Sequence, residues 1–588
     1  MRTHYCGLLS ENHIDEAVIL TGWVNSIRDH GGVLFVDLRD RTGLVQVVFN
    51  PVEVAHAELH ELAHTVRNEY VLLVEGKVRK RPPETENPSL TTGYIEVAAK
   101  KLTVLNTCDP LPFGIDERSE ATESVRLKHR YLDLRRPSMQ KNIILRCNCV
   151  KAVREFLDSQ GFLDIETPML TKSTPEGARD YLVPSRVSHG FFYALPQSPQ
   201  LFKQLLMAGG FDRYYQIVKC FRDEDLRSDR QPEFTQIDME MSFVTEEHII
   251  DIVERLLIHV FKKILGLSIT IPFERLTYAE AMDRYGTDRP DLRFGLELKE
   301  VNDIVKESSF KVFLDALSGG GMVKALNAKG LACYSRKELD MLTQKAQEFG
   351  AKGLAWMKVK DGIESPVAKF FPERVLTALL DTLQGEKGDL LLFVADSRSV
   401  VNDVLSRMRL ELAERLNLIP PDTYHFAWIV DFPLLQWNKD EGRFEAMHHP
   451  FTSPVPEHAD ALFKGEVKDL STLRARAYDV VLNGSEIGGG SIRIHNSELQ
   501  EKMLDTLGIG LEEAQHKFGF LLDALKYGAP PHGGIAFGLD RLVMLMAKTS
   551  SIRDVIPFPK TQKAACMMSG APSEVTEFQL RELGIKLR

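Results

Sequence analysis

Between residues 221 and 238 the chain reads Phe221-Arg222-Asp223-Glu224-Asp225-Leu226-Arg227-Ser228-Asp229-Arg230-Gln231-Pro232-Glu233-Phe234-Thr235-Gln236-Ile237-Asp238. An arginine followed by two acids, a charged loop and then an aromatic suits a nucleoside triphosphate. A guanidinium grips phosphate oxygens through charge-assisted hydrogen bonds, and an aromatic face stacks on a base. A hairpin loop that merely faces water would look similar over its charged middle. A second stretch, Gly533-Gly534-Ile535-Ala536-Phe537-Gly538-Leu539-Asp540-Arg541-Leu542, passes from a glycine-containing apolar strand straight into a helix with an arginine in its first turn. Glycines let a ligand approach the backbone, and the helix start and Arg541 both favour phosphate. Taken alone, the glycine pattern fits a packing strand equally well.

These groups need elements to hold them. Tyr214-Tyr215-Gln216-Ile217-Val218 before the charged loop and the alternating residues after it predict two antiparallel strands. Ile143, Cys147, Val150, Val153, Phe156 and Leu157 recur at helical spacing and predict a long amphipathic helix. It stops before Gly161, a natural helix cap, and an extended segment runs from Phe162 to Pro168. Near the amino terminus, Val18–Val24, Val33–Asp40, Gly43–Phe49, Tyr70–Val78 and Tyr94–Val97 read as short strands with turn punctuation. Five strands with little helix predict a small barrel of the oligonucleotide-binding type. A barrel that binds no nucleic acid stays open on pattern alone. Asn106 to Pro137 is a polar connection, and from about 290 to 418 the texture changes to mixed helices and strands without a catalytic-type polar cluster. This predicts an inserted α+β domain splitting one catalytic domain.

Size and composition agree. At ~100–200 residues per domain, 588 residues predict several folded units. Hydrophobic residues at 44% and charged residues at 27% exclude disordered and fibrous classes. Runs such as Leu390-Leu391-Leu392-Phe393-Val394-Ala395 are far shorter than the ~20 residues of a membrane span. The amino terminus lacks an export signal, so a soluble, cytoplasmic protein with no membrane contact is expected. Seven scattered cysteines read as reduced thiols. A net charge of −10 confines any nucleic-acid contact to a local face.

Gly161 to Pro168, Phe221-Arg222-Asp223-Glu224 with its return strand, and Gly538-Leu539-Asp540-Arg541 resemble, in order, the three signature motifs of class II aminoacyl-tRNA synthetases. Thr174-Pro175-Glu176-Gly177-Ala178-Arg179-Asp180-Tyr181, Gln197-Ser198-Pro199-Gln200-Leu201-Phe202-Lys203 and His448-His449-Pro450-Phe451-Thr452 are similar to the bacterial aspartyl-tRNA synthetase family in particular. The resemblance covers essentially the whole chain. It implies an anticodon-binding barrel (1–106), a hinge (107–137), a catalytic antiparallel sheet flanked by helices (138–289 and 419–565), the insertion (290–418) and a carboxy-terminal extension (566–588). It also implies a homodimer with the Ile143–Leu157 helix and Pro168 at the interface, although a helix buried in one subunit would show the same periodicity.

The resemblance further implies L-aspartate, ATP and tRNA as substrates. Arg222 would hold the α-phosphate and Arg541 the γ-phosphate as the catalytic cations, and Phe234 would stack on adenine. Asp223, Glu224, Gln231, Gly538, Leu539 and Asp540 complete the nucleotide site. Hard Mg2+ takes carboxylate oxygens, and Asp479 and Glu486, ahead of Gly488-Gly489-Gly490, match its ligands. Lys203 and Arg493 match the cations for the aspartate carboxylate, with His448 and His449 closing over it. Glu176 and Asp238 are the facing acids, with Ser198, Gln200 and Arg222 beside them. In the barrel, Phe35, Gln46, Arg28, His30 and Glu96 match anticodon contacts. His30 resembles members that charge both tRNA(Asp) and tRNA(Asn), whereas Glu84 stands where those members often carry glycine. Strict tRNA(Asp) specificity is the alternative; an asparaginyl or lysyl enzyme, or a non-catalytic RNA-binding relative, is more distant. A lysine pocket would need carboxylates in place of Lys203 and Arg493, and a non-catalytic relative would be expected to lose Arg222, Arg541 or Glu486.

Overall fold

The computed structural model describes residues 1–52, 57–174, 178–226 and 229–587. The chain divides into two compact units, Met1–Lys141 and Asn142–Arg588.

In the first unit, β1 (Ala17–His30), β2 (Val33–Asp40), β3 (Gly43–Phe49), β4 (Val71–Lys80) and β5 (Ile95–Asn106) close into a barrel in the order β1-β2-β3-β5-β4. Alternation decides what fills it. Leu34, Val36 and Leu38 point inward with Val18, Leu20, Val45, Val47, Leu72 and Val74, while Phe35 and Asp37 face out. In the segment Arg28-Asp29-His30-Gly31-Gly32 the first three residues are strand, because β1 continues to His30. Only Gly31 and Gly32 turn, both at positive φ, and Asp29 accepts a hydrogen bond from the Gly32 N–H at 3.0 Å. The connection after the barrel is not featureless. It holds two short helices, Glu123–Lys128 and Arg130–Asp133, the second carrying a buried Arg130–Asp133 ion pair.

The helix α1 (Pro137–Ser159), most of which belongs to the second unit, starts on proline, whose missing N–H costs nothing at a helix start. It ends as expected ahead of Gly161, which sits at φ 75°. Its periodicity is borne out only in the second half: Val153, Phe156 and Leu157 are core, Val150 packs on the core, and Cys149 and Ala152 join them. Cys147 is exposed, a correction to the expected apolar face.

Among the described residues one sheet contains β6 (Leu163–Asp164), β7 (Arg213–Phe221), β8 (Glu233–Ser242), β9 (Glu274–Thr277), β10 (Phe426–Val430), β11 (Ala477–Leu482), β12 (Ser485–Ile492) and β13 (His532–Gly538). Its order is β9-β10-β11-β12-β13-β8-β7-β6. The middle six strands are antiparallel, but both edges, β9 on β10 and β6 on β7, are parallel, so the expected all-antiparallel sheet is mixed. In β8 the period of two sorts chemistry by face. Ile237, Met239 and Met241 enter the core beneath α1 and α2 (Glu246–Leu265), which leaves Phe234, Gln236, Asp238 and Glu240 on the opposite face. The helix after β13, α3 (Leu539–Ala547), seats Leu539, Leu542 and Val543 in the same core.

A separate five-stranded sheet lies between β9 and β10, in the order Leu298–Glu300, Met322–Ala328, Leu390–Asp396, Ala355–Val359, Ile363–Glu364. Leu390, Leu392 and Val394 pack one side, and Leu391 and Phe393 the other. Burial on both faces explains the uninterrupted apolar run there. No helix of the described residues is long and apolar enough to cross a membrane.

Candidate active site

One cavity of about 540 Å3 opens on the polar face of the large sheet. It gathers Arg222, Glu224, Gln231, Phe234, Gly538, Asp540 and Arg541 with Ser198, Gln200, Lys203, Asp238, His448, His449, Asp479, Glu486 and Arg493. Residues from the two motif strands meet because β8 and β13 are neighbours, with Gln236 opposite Gly538 and Asp238 opposite Ala536.

At its floor lies a buried quartet. Lys203, on the helix Gln200–Ala208, donates to Asp238 at 2.7 Å and lies 3.2 Å from Glu240. Arg493 grips Glu240 through Nε at 2.9 Å and a second nitrogen at 3.1 Å. All four are 2% exposed or less. Two cations and two anions balance, which offsets a desolvation cost that none could bear alone. Burial would raise the Glu240 carboxyl, but Arg493 and Lys203 outweigh it and hold it down at about 2. Burial pushes Asp238 up, against the pull of Lys203. Asp238 Oδ2 is buried and makes no hydrogen bond among the described residues. An acceptor oxygen is thus left on Asp238, which lines the cavity together with Lys203 and Arg493.

His449 is faced by donors at both nitrogens, Arg493 at 2.6 Å and the Phe451 N–H at 3.1 Å. Burial and the Arg493 charge keep it far below the usual histidine range, hence neutral. His448 differs. Burial disfavours its charge, but Asp479, 3.5 Å away, outweighs that and raises it.

The second charged centre is acidic. Asp479 pairs in register with Gly489, and Glu486 follows a bulge in the same ladder. The Asp479 charge and burial raise the Glu486 carboxyl against Arg541, and burial and Asp479 raise Asp288. Asp479 Oδ1 makes no hydrogen bond among the described residues, and the His448 ring nitrogen stands 3.5 Å from it. A side chain on Gly489 would put Cβ 2.5 Å from that oxygen and 3.6 Å from Glu486 Oε1, so the glycine keeps the cradle open. Crowded hard oxygens with an unsatisfied lone pair fit a divalent cation of the Mg2+ kind.

Other expected residues are placed differently. Arg222 lies over the Phe234 ring, 5.1 Å from its centroid. Arg541 donates to the Glu486 carbonyl at 2.6 Å and approaches Asp229 at 3.3 Å. Gln231 is clamped by the Lys560 backbone, donating at 3.0 Å and accepting at 2.7 Å. Asp540 accepts from the Thr235 N–H at 2.8 Å and pairs with Arg146, so its carboxylate ties α3 to β8 and α1. The Leu539 side chain is core, which leaves only its backbone for a ligand. Asp223 lies outside the cavity lining, bridged to Arg179. Glu176 falls outside the described residues.

Three residues escaped the sequence reading. Glu240 was marked by the alternation Asp238-Met239-Glu240-Met241, which puts both acids on one face. Gln197 holds Ala178 through both ends of its amide, at 2.8 and 3.2 Å. Asp288 lines the cavity from far along the chain and carries no local signal.

In the barrel, Arg28 donates to Asp37 at 2.8 Å and Gln46 at 3.2 Å, Gln46 donates to Glu96 at 2.9 Å, and Arg79 reaches the other Glu96 oxygen. This polar network and Phe35 share the outer face. The His30 ring meets Phe35 edge-on at 6.0 Å. Phe35 is therefore not barrel core. Glu84 sits at φ 68°, a left-handed geometry that favours glycine.

The family of class II tRNA synthetases (D, K and N) matches residues 122–562, and an OB-fold nucleic acid binding domain matches residues 18–105. The chain is 60% identical over 587 residues to the aspartate–tRNA(Asp/Asn) ligase of Caldanaerobacter subterraneus subsp. tengcongensis, covering 100% of this chain and 98% of the relative. It is 59% identical to the ligase of the same name from Thermodesulfovibrio yellowstonii, with 100% and 99% covered. Among solved structures, asparaginyl-tRNA synthetase from Pyrococcus horikoshii with asparaginyl-adenylate has the same fold at TM-score 0.60 and 20% identity, over 95% of this chain and 98% of that one. The chain belongs to the class II tRNA synthetases of the D, K and N group.

Proposed function

We propose that the protein activates L-aspartate with Mg2+ and ATP and transfers it to tRNA(Asp) and tRNA(Asn). The observation that carries the reading is the buried quartet. Lys203 and Arg493 offer donors to a side-chain carboxylate, and the unpartnered Asp238 oxygen is an acceptor for the substrate ammonium group. A lysine side chain would meet two cations there, and the full-length relatives bear the Asp/Asn name.

The α-carboxylate of aspartate attacks the α-phosphorus of ATP in line and pyrophosphate leaves. Little proton transfer is needed, so positioning and charge neutralisation supply the rate. Arg222 steadies the α-phosphate, Arg541 the γ-phosphate, and Phe234 the adenine. Asp479 and Glu486 hold the Mg2+, which offsets charge on the phosphates when bound. Ser198, Gln200, His448 and His449 border the amino acid, and Glu176 serves as an acid facing it. Phe35, Arg28, Gln46, Glu96 and His30 read the anticodon. The protein works as a cytoplasmic homodimer with α1 and Pro168 at the interface, a reading supported by Ile144, exposed on α1 at 46%.

Pyrophosphate exchange tests the reading. Label should enter ATP with aspartate and not with asparagine or lysine, and purified tRNA(Asp) and tRNA(Asn) should be charged with comparable kcat/KM. Exchange driven by asparagine would overturn the substrate. A preference for tRNA(Asp) above ~100-fold, about 2.7 kcal/mol, would make the enzyme strictly specific.

A further inference from the structure

We infer that Gln204 and His532 are positioning residues of the amino-acid site, which hold the Gln200 amide with its oxygen toward the cavity to accept from the substrate ammonium group. The inference deepens the proposed activation of aspartate and rests on it. Gln200 lines the cavity, whereas Gln204 and His532 do not. Their part is played through Gln200.

One end of the row dictates the direction of every hydrogen bond in it. His532 opens β13, and its Nδ1 lies 2.7 Å from the Pro530 carbonyl. A carbonyl oxygen can only accept, so Nδ1 carries the proton. Burial, against the Glu240 charge, keeps His532 below the usual histidine range, so the ring is neutral and Nε2 offers a lone pair. The Gln204 amide nitrogen donates to that Nε2 at 3.1 Å. This leaves the Gln204 oxygen to accept from Gln200 Nε2, at 3.0 Å. Gln200 and Gln204 stand four residues apart on the helix Gln200–Ala208, the spacing at which side chains meet. An amide has one nitrogen and one oxygen, so committing the Gln200 nitrogen to Gln204 leaves its oxygen for the cavity. Gln200, Gln204 and His532 are 5%, 1% and 0% exposed, so little water reaches the row to compete. Without the row the Gln200 amide could turn, and its NH2 would then meet an ammonium group that needs acceptors. The Asp238 oxygen that makes no hydrogen bond belongs to the same cavity and supplies a second acceptor.

The test is a double-mutant cycle read by aspartate-dependent pyrophosphate exchange. Gln204→Leu, close in volume, should raise the KM for aspartate about tenfold, the worth of one hydrogen bond to a charged group, while kcat and the KM for ATP change less than about twofold. His532→Phe, a ring without an acceptor, should act in the same direction. In a Gln200→Ala background, where no amide is left to orient, adding Gln204→Leu should change the KM for aspartate less than about twofold. A Gln204→Leu KM for aspartate within about twofold of wild type overturns the inference. So does a loss that repeats in full in the Gln200→Ala background, because it marks a merely structural role. Should Gln204→Leu fail to fold, His532→Phe decides by the same cycle. Absence of aspartate-dependent exchange in the wild-type protein would instead overturn the proposed function.

Discussion

At the residue scale the proposed aspartate pocket is a charge balance in which no member is independent. Lys203 touches both Asp238 and Glu240, so Lys203→Met removes a substrate cation and also leaves a buried carboxylate underpaired, at a cost of about 3–5 kcal/mol. The KM for aspartate should rise at least 100-fold while the KM for ATP changes little, and the melting temperature should fall. An unchanged aspartate KM would refute the role. His449 makes a pH prediction. Its folded-state pKa is depressed, so below about 6.5 the unfolded chain takes up the proton first. The stability it contributes is present above that pH and lost as pH falls, by up to about 1.4 kcal/mol per unit. In His449→Gln, thermal unfolding followed from pH 7 to pH 5 should show a shallower decline than wild type; parallel curves would contradict the assignment.

At the scale of elements, β12 shows how one strand serves two purposes through adjacent glycines. Gly490→Ala would drive Cβ to 2.1 Å from the Gly534 carbonyl, a backbone clash that must unfold or distort the sheet. Gly489→Ala presses instead on the Asp479 side chain, which can rotate. Exchange activity should therefore collapse in Gly489→Ala with a near-normal melting temperature, whereas Gly490→Ala should be poorly soluble or destabilised; the reverse order would refute the cradle. The barrel offers a parallel test. An inward phenylalanine costs about 3–5 kcal/mol on truncation to alanine. Phe35 faces outward, so Phe35→Ala should leave barrel stability within about 1 kcal/mol while tRNA binding loses about 1–3 kcal/mol, the worth of one stacked base.

At the scale of the whole molecule, the proposed charging of two tRNAs is tested at one residue of the barrel. His30 ends β1 and lies against Phe35, so it borders the expected anticodon face. His30→Leu should lower kcat/KM for tRNA(Asn) selectively and leave exchange with aspartate untouched. Equal loss for both tRNAs would show that His30 supports binding without choosing between them.

The local rules of the fold were readable from the chain. Alternation marked the barrel strands and β8, the cap at Gly161 ended α1, and charge and aromatic types singled out Arg222, Phe234 and Arg541, which line one cavity, because each depends on neighbours within a few residues. What the tertiary structure decided depended on distant chain. Glu240 becomes the partner of Lys203 and Arg493 only because a helix and two strands converge on one face. The Asp540 carboxylate is taken up by Arg146 and Thr235 rather than left for a ligand. Asp288 lines the cavity of Asp479 and Glu486 although it stands about two hundred residues earlier in the chain. Burial of a charge, and hence its partner and its pKa, is set by the packing of several elements together, and that packing is not written in any one stretch of residues.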